Sequence, residues 1–221
     1  MTRPHLPDTA LALTAVLTFV TGVVDAVGYL GLDRVFTGNM TGNIVILALG
    51  LAGADGLPVL GPLVALVAFG AGAFAAGFAL REPPERWNSR ITALLGTGAA
   101  ILAALTVALV LVSALDTPAV QVPVAAATAA VMGQQAMVAR ALAVREMTTV
   151  VVTSTLTALA GESLVRGGAA AVWNRRLGAI AAIFLGAMTG AVLLRLHLAV
   201  PMGLAAALTA GVAVAGHRVL R

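Results

Sequence analysis

Eight apolar stretches, at residues 10–31, 36–53, 58–80, 91–115, 119–142, 147–163, 177–196 and 199–217, make up most of this 221-residue chain. A helix crosses a hydrocarbon core with about 20 consecutive apolar residues, and it does so because it satisfies its own backbone hydrogen bonds where no water can. Soluble domains carry about 25% charged residues. Here 10% are charged and 60% hydrophobic. The chain is therefore read as an all-α polytopic membrane protein, one transmembrane domain over residues 1–221, with the lipid bilayer as its first partner. Arg3 precedes the first run as it would in a signal peptide, but that run continues for about 22 residues without an early small-x-small cleavage site, so a retained span is expected.

The second and sixth stretches are short, and the second opens on Phe36-Thr-Gly-Asn-Met-Thr-Gly-Asn43, rich in residues that weaken helices. Arginine placement bears on whether they span, because cytoplasmic loops collect positive charge. All 13 basic residues are arginine. If all eight stretches cross, six arginines face seven. If stretches 36–53 and 147–163 instead enter and leave on one side, only Arg34 and Arg195 stay outside and 11 lie inside. The second arrangement predicts six transmembrane helices, two short re-entrant or interfacial segments, and both termini cytoplasmic in a bacterial inner membrane.

That topology divides the chain into halves of about 10–115 and 119–217. Gly22-Val-Val-Asp25 aligns with Gly133-Gln-Gln-Ala136, Thr41-Gly-Asn-Ile44 with Thr153-Ser-Thr-Leu156, and Gly72-Ala-Phe-Ala-Ala76 with Gly186-Ala-Met-Thr-Gly190, at offsets drifting from 111 to 114. Three spans per half place the halves in opposite orientation, an inverted 3+3 repeat of the kind transporters use. Gly/Ala-rich stretches around Gly70, Gly72 and Gly77 and around Gly178, Gly186 and Gly190 permit close helix packing, and offer a face for homo-oligomers.

Asp25 is the acidic residue deepest in a span. Thr14, Thr18, Thr21 and Asp25 are spaced 4, 3 and 4 apart and form one polar stripe, continued by Gly28. A carboxylate in hydrocarbon requires a partner, a water-filled cavity or a proton. It is read either as a ligand for a coupling ion, proton or substrate, or as a buried anchor bonded to Gln134, Gln135 or Arg140 of the facing fourth span. Thr37, Asn39, Thr41 and Asn43 supply neutral donors and acceptors on flexible backbone, either at the mouth or tip of a re-entrant element or simply as a Thr or Asn N-cap before Ile44. Gln134 and Gln135 either line a solute path or bond helices together. Asp33 and Arg34 read as a solvated interfacial pair, and Trp87 as a headgroup-level anchor.

Gly22-x-x-Asp25, then Val35-Phe-Thr-Gly-Asn-Met-Thr-Gly-Asn43 and an apolar run, resemble the YoaK-like family of uncharacterised bacterial membrane proteins. The resemblance extends over nearly the whole chain in segment layout, and Gly133-Gln134-Gln135 looks like that family's Gly-x-Gln element. Thr153-Ser154-Thr155 departs from the Thr-Gly-Thr expected there. The resemblance implies a multi-pass membrane protein and brings no substrate.

Several chemistries lack their residues. Cysteine is absent, and His5, His197 and His217 are scattered, so neither a metal nor a cofactor is expected. No P-loop, nucleotide fingerprint or nucleophile elbow occurs, so no enzymatic activity is expected. The net charge of +4 is spread over helix ends rather than gathered in a patch, so nucleic acid is not an expected partner. The function expected is transport or conduction of a small solute or ion, with proton coupling as one form. The site would comprise Asp25, Thr18, Thr21, Thr37, Asn39, Thr41, Asn43, Gln134 and Gln135. The alternative is a non-transporting membrane module, a subunit or sensor acting through its helix-packing faces.

Overall fold

The computed structural model describes residues 8–54, 56–81, 87–112, 115–142, 156, 157, 161 and 175–220. Seven helices occur among them and no strand: α1 Asp8–Gly31, α2 Met40–Leu51, α3 Leu60–Ala79, α4 Ser89–Leu111, α5 Pro118–Ala141, α6 Arg175–Leu194 and α7 Ala199–Val219. Six are long and apolar enough to cross a membrane, and α2 is the exception. The protein is thus a polytopic α-helical membrane protein. Most of the stretch at 147–163, with Thr153-Ser154-Thr155, lies outside the described residues.

Starts and stops follow local chemistry. Pro118 opens α5, where a missing N–H costs nothing because the first turn has no intrahelical acceptor for it. Asn88 caps α4 by accepting from the Ile91 N–H at 3.0 Å.

The most extensive contacts pair α3 with α5, α1 with α6, and α4 with α7. Without water to drive apolar helices together, close packing depends on small residues. Four glycines make the approach. A Cβ on Gly22 would overlap the backbone of Ile183 and Ala187, and one on Gly186 would overlap Phe19. A Cβ on Gly72 would overlap Ala130, and one on Gly133 would overlap Phe69 and Ala73. In α1, Val20, Val23, Val24 and Val27 are fully buried, so this helix runs through the centre. Phe74 and Phe78 of α3, Val110 and Leu111 of α4 and Phe184 of α6 are turned outward, as a lipid-facing surface requires.

The helix ends sort into two groups. Leu17, Leu80, Trp87, Ile91, Val138 and Val212 gather in one cluster, while Leu30, Gly31, Leu115, Asp116, Leu194, Arg195 and Leu198 line a depression at the opposite end. By element order, Arg81, Arg90, Arg140, Arg175, Arg176 and Arg218 belong to the Trp87 end, and Arg34 and Arg195 to the Asp116 end. Trp87 directly precedes the N-cap of α4, with its side chain turned into the bundle. It is 5% exposed, its Nε1 donates to Thr92 Oγ1 at 2.9 Å, and its ring fills the slot left by the missing side chain of Gly216.

The stretch between α1 and α3 makes a return journey. After Gly31, both Leu32 N–H and Val35 N–H donate to Gly28 O, at 3.1 and 3.2 Å. Asp33 and Arg34 each adopt φ 58°, a left-handed conformation costing roughly 1–2 kcal/mol per non-glycine residue. Val35 O passes so close to Gly28 that a Cβ there would overlap it, which explains the glycine. The chain then runs back along α1 to the level of Asp25. From there α2, with 12 residues, extends about 18 Å, short of the roughly 30 Å hydrocarbon core. It returns to the end it left, because Arg34 Nη1 donates to Gly56 O at 3.2 Å and Gly61, at the start of α3, sits against the Val35 side chain. Arg34 is therefore engaged with this carbonyl rather than with Asp33.

Candidate functional site

The site forms where the returning chain meets the polar stripe of α1. Asp25 is 8% exposed, and its Oδ1 accepts three backbone hydrogen bonds: from Thr37 at 2.9 Å, Gly38 at 2.6 Å and Asn39 at 3.3 Å. Three consecutive N–H groups converging on one oxygen form an anion nest at the N-terminal side of α2, and the helix dipole favours the same sign of charge. Gly38 makes the approach possible, since a Cβ there would run into Thr21 Cγ2 and lie 3.5 Å from both carboxyl oxygens.

The loop holds its shape through Asn43, which is fully buried. Its Oδ1 accepts from Phe36 N–H at 2.8 Å and its Nδ2 donates to Phe36 O at 2.6 Å. Asn39 is the N-cap of α2, its side chain accepting from Gly42 N–H at 3.2 Å. Phe36 stacks on Tyr29 with centroids 5.1 Å apart, closing the turn over the end of α1.

From α5, Gln135 reaches α1 one turn nearer the Trp87 end. Its Nε2 donates to Leu17 O at 3.1 Å and to Thr21 Oγ1 at 3.3 Å, and the residue is 4% exposed. Thr18 and Thr21, both buried, donate to Thr14 O at 3.0 Å and Leu17 O at 3.1 Å. Six of the residues expected at the site thus fall near one another: Asp25, Thr18, Thr21, Thr37, Gln135 and, as the loop's cap, Asn39. Asn43 acts at one remove by shaping the loop. Gln134 points away, donating to Leu94 O of α4 across Gly98, and Thr41 is exposed on α2.

The partners foreseen for Asp25 in the anchoring reading are not the ones it has. Gln135 stops at Thr21, Gln134 turns to α4, and Arg140 is exposed. The charge is met by backbone amides of the loop instead, donors that every sequence possesses and that no residue pattern singles out. Thr209 of α7 was not foreseen either. It is 1% exposed and donates to Ala205 O at 2.8 Å, and its sequence signal is that of a lone hydroxyl in an otherwise apolar helix. Among the described residues no group of three or more His, Cys, Asp or Glu could hold a metal ion.

A family model described as a protein of unknown function (DUF1275) matches residues 13–215. The chain belongs to this family. It is also similar to the UPF0700 transmembrane protein YoaK of Bacillus subtilis (strain 168), at 38% identity over 103 residues, covering 46% of this chain and 44% of YoaK. The match therefore spans less than half the length of that relative. No solved structure matches. The YoaK-like membrane family indicated by the block from Val35 to Asn43 is thus shown, and with it a multi-pass membrane protein. The family description assigns no substrate.

Proposed function

We propose that this protein is a small-solute or ion transporter or channel of the bacterial inner membrane, working through the junction of Asp25 with the re-entrant segment 32–59. The observation that carries the reading is a buried carboxylate, two turns inside a spanning helix, capped by backbone N–H groups at the start of a helix too short to cross. Irregular backbone is stable at membrane depth only where protein or a cavity surrounds it, and discontinuous helices with their N-termini at such depth are a recurring way to build a solute site.

An inverted-repeat arrangement is part of the proposal, and the glycine crossings support it. Gly22 meets Ile183 and Ala187; its equivalent 111 residues on, Gly133, meets Phe69 and Ala73, which precede Ile183 and Ala187 by 114. Gly186 meets Phe19, and Gly72 meets Ala130, again offset by 114 and 111. Exchanging the halves converts the α1–α6 contact into the α5–α3 contact and leaves α4–α7 paired with itself. The positive-inside bias supports an orientation with the Trp87 end, and with it both termini, in the cytoplasm.

Flux into proteoliposomes tests the proposal. Purified protein, driven by a pH, sodium or potassium gradient, is expected to move at least one member of a panel of ions and small neutral or zwitterionic solutes. Asp25→Asn should lower that flux at least tenfold. Zero flux across the panel, together with a membrane partner that copurifies in fixed ratio, would overturn transport in favour of a non-transporting module.

A further inference from the structure

We infer that the cluster of Asp25, Thr37, Thr21 and Gln135 is a binding site for a single dehydrated monovalent metal cation of the sodium type. This rests on the transport reading for its role and names the substrate or coupling ion of the same site.

Every donor in the cluster with a recorded bond is committed. The N–H groups of Thr37, Gly38 and Asn39 all point at Asp25 Oδ1. Both acceptors of the Gln135 amide nitrogen lie on α1, which also fixes the flip of that amide, since its oxygen would repel Leu17 O. The Thr21 hydroxyl donates to Leu17 O, one turn back, as Thr14 and Thr128 do to Ala10 and Val124. What remains is acceptor capacity and the Thr37 hydroxyl, which can turn its proton toward the Asp25 carboxyl and leave its lone pairs free.

Two atoms make this specific. Gln135 Oε1 and Thr37 Oγ1 are buried with no hydrogen-bond partner, in side chains 4% and 0% exposed. Buried polar atoms are nearly always paired, and leaving one unmade costs about 1–3 kcal/mol. Their side chains flank neighbouring turns of α1, Gln135 at Thr21 and Thr37 at Asp25. The Gln135 amide nitrogen is 3.3 Å from Thr21 Oγ1, so the oxygen of that amide, about 2.3 Å from the nitrogen by bond lengths, lies no more than about 6 Å from that hydroxyl. Thr37 Oγ1 lies beside the Asp25 carboxyl without meeting hydrogen-bond geometry. The second carboxyl oxygen, Oδ2, accepts none of the recorded bonds.

A ligand for such a site must be an acceptor-seeking group. An anion would have to sit against the Asp25 carboxyl with the Thr37 hydroxyl as its one uncommitted donor, which like-charge repulsion disfavours. A divalent cation would leave excess buried charge, because Asp25 is the one ionisable side chain among the buried described residues. A monovalent cation cancels that charge. Carboxylate, hydroxyl and amide oxygens are hard ligands, suited to hard ions rather than to thiophilic ones.

The test uses the full-length protein in detergent micelles, with thermal unfolding followed in sodium chloride at fixed ionic strength set by choline chloride. Binding to the folded state should raise Tm in proportion to the logarithm of sodium above the dissociation constant. Thr37→Val and Gln135→Leu should each flatten that slope, whereas Thr37→Ser, which retains the hydroxyl, should keep it. In pure choline chloride Thr37→Val should be at least as stable as the wild type, because it deletes an unpaired buried hydroxyl. Equal Tm in choline, lithium, sodium and potassium would overturn the inference, as would an unchanged slope in both Thr37→Val and Gln135→Leu. Sodium-dependent stabilisation in a protein that supports no flux upholds the cation site and removes the transport reading. Flux indifferent to sodium and potassium, with no salt-specific stabilisation, does the reverse.

Discussion

Removing the acceptor at Asp25 should separate the charge of this residue from its geometry. Three N–H groups depend on Oδ1, at 2.9, 2.6 and 3.3 Å. In Asp25→Asn an oxygen of the same shape remains, but the bonds lose their charge assistance, roughly halving each. With hydrogen bonds to charged groups contributing about 1.5–3 kcal/mol and neutral ones about 1 kcal/mol, the two shorter bonds should lose about 1–4 kcal/mol together. In Asp25→Ala the N–H groups have no acceptor at all. Leaving buried donors unmade costs about 1–3 kcal/mol each, so a loss of about 2–6 kcal/mol is expected from the same two. The loop should then detach from α1 before the bundle unfolds, because the remaining contacts of α2 are chiefly with α3. Hydrogen exchange by mass spectrometry over residues 36–43, alongside thermal unfolding, reads both effects. Protection in the loop should fall slightly in Asp25→Asn and collapse in Asp25→Ala, with the amides of α4 and α7 unaffected. Equal loop protection in all three proteins, or an alanine variant as stable as the asparagine one, would refute the nest as the anchor of this segment.

Other outcomes follow from the same geometry. Gly22→Ala and Gly133→Ala place a methyl group against facing backbone and should each destabilise by about 2–3 kcal/mol, the upper range for overpacking. Gly70→Ala and Gly96→Ala meet open space and should be neutral, or stabilising by up to about 1 kcal/mol through helix propensity; a common Tm shift for all four would contradict the crossings. Asn43→Ala deletes the reciprocal pair with Phe36 and should raise exchange at residues 36–43, with a loss of about 2–3 kcal/mol as two buried backbone groups go unpaired. Because the chain has no cysteine, single cysteines at Ala54 and Asp116 can be labelled without background. Both should react with an impermeant maleimide from outside intact cells, and one at Arg81 only after lysis; Ala54 labelled only after lysis would overturn the return path of residues 32–59.

The membrane class, the six long helices and their boundaries were legible from residues alone, because hydropathy and helix length are properties of consecutive residues. Asp25 was legible as a group that needs a buried partner, because a carboxylate in an apolar run needs one wherever the helix sits. Of the four crossing glycines, Gly72 and Gly186 stood in stretches whose spacing signalled close contact without saying which helices would touch, while Gly22 and Gly133 stood out only as aligned positions of the two halves.

The identity of Asp25's partners was decided by the tertiary structure. Backbone amides are present in every residue, and it is the reversal at Asp33 and Arg34, with the clearance at Gly28 and Gly38, that aims three of them at one oxygen. Gln134 and Gln135 show the same division. They are adjacent and chemically identical, yet about 100° apart on an α-helix, so one bonds Leu94 of α4 and the other Leu17 of α1. Sequence set which groups must be buried with partners; the packing of α1, α5 and the returning loop determined which partners they have and which two polar atoms were left without one.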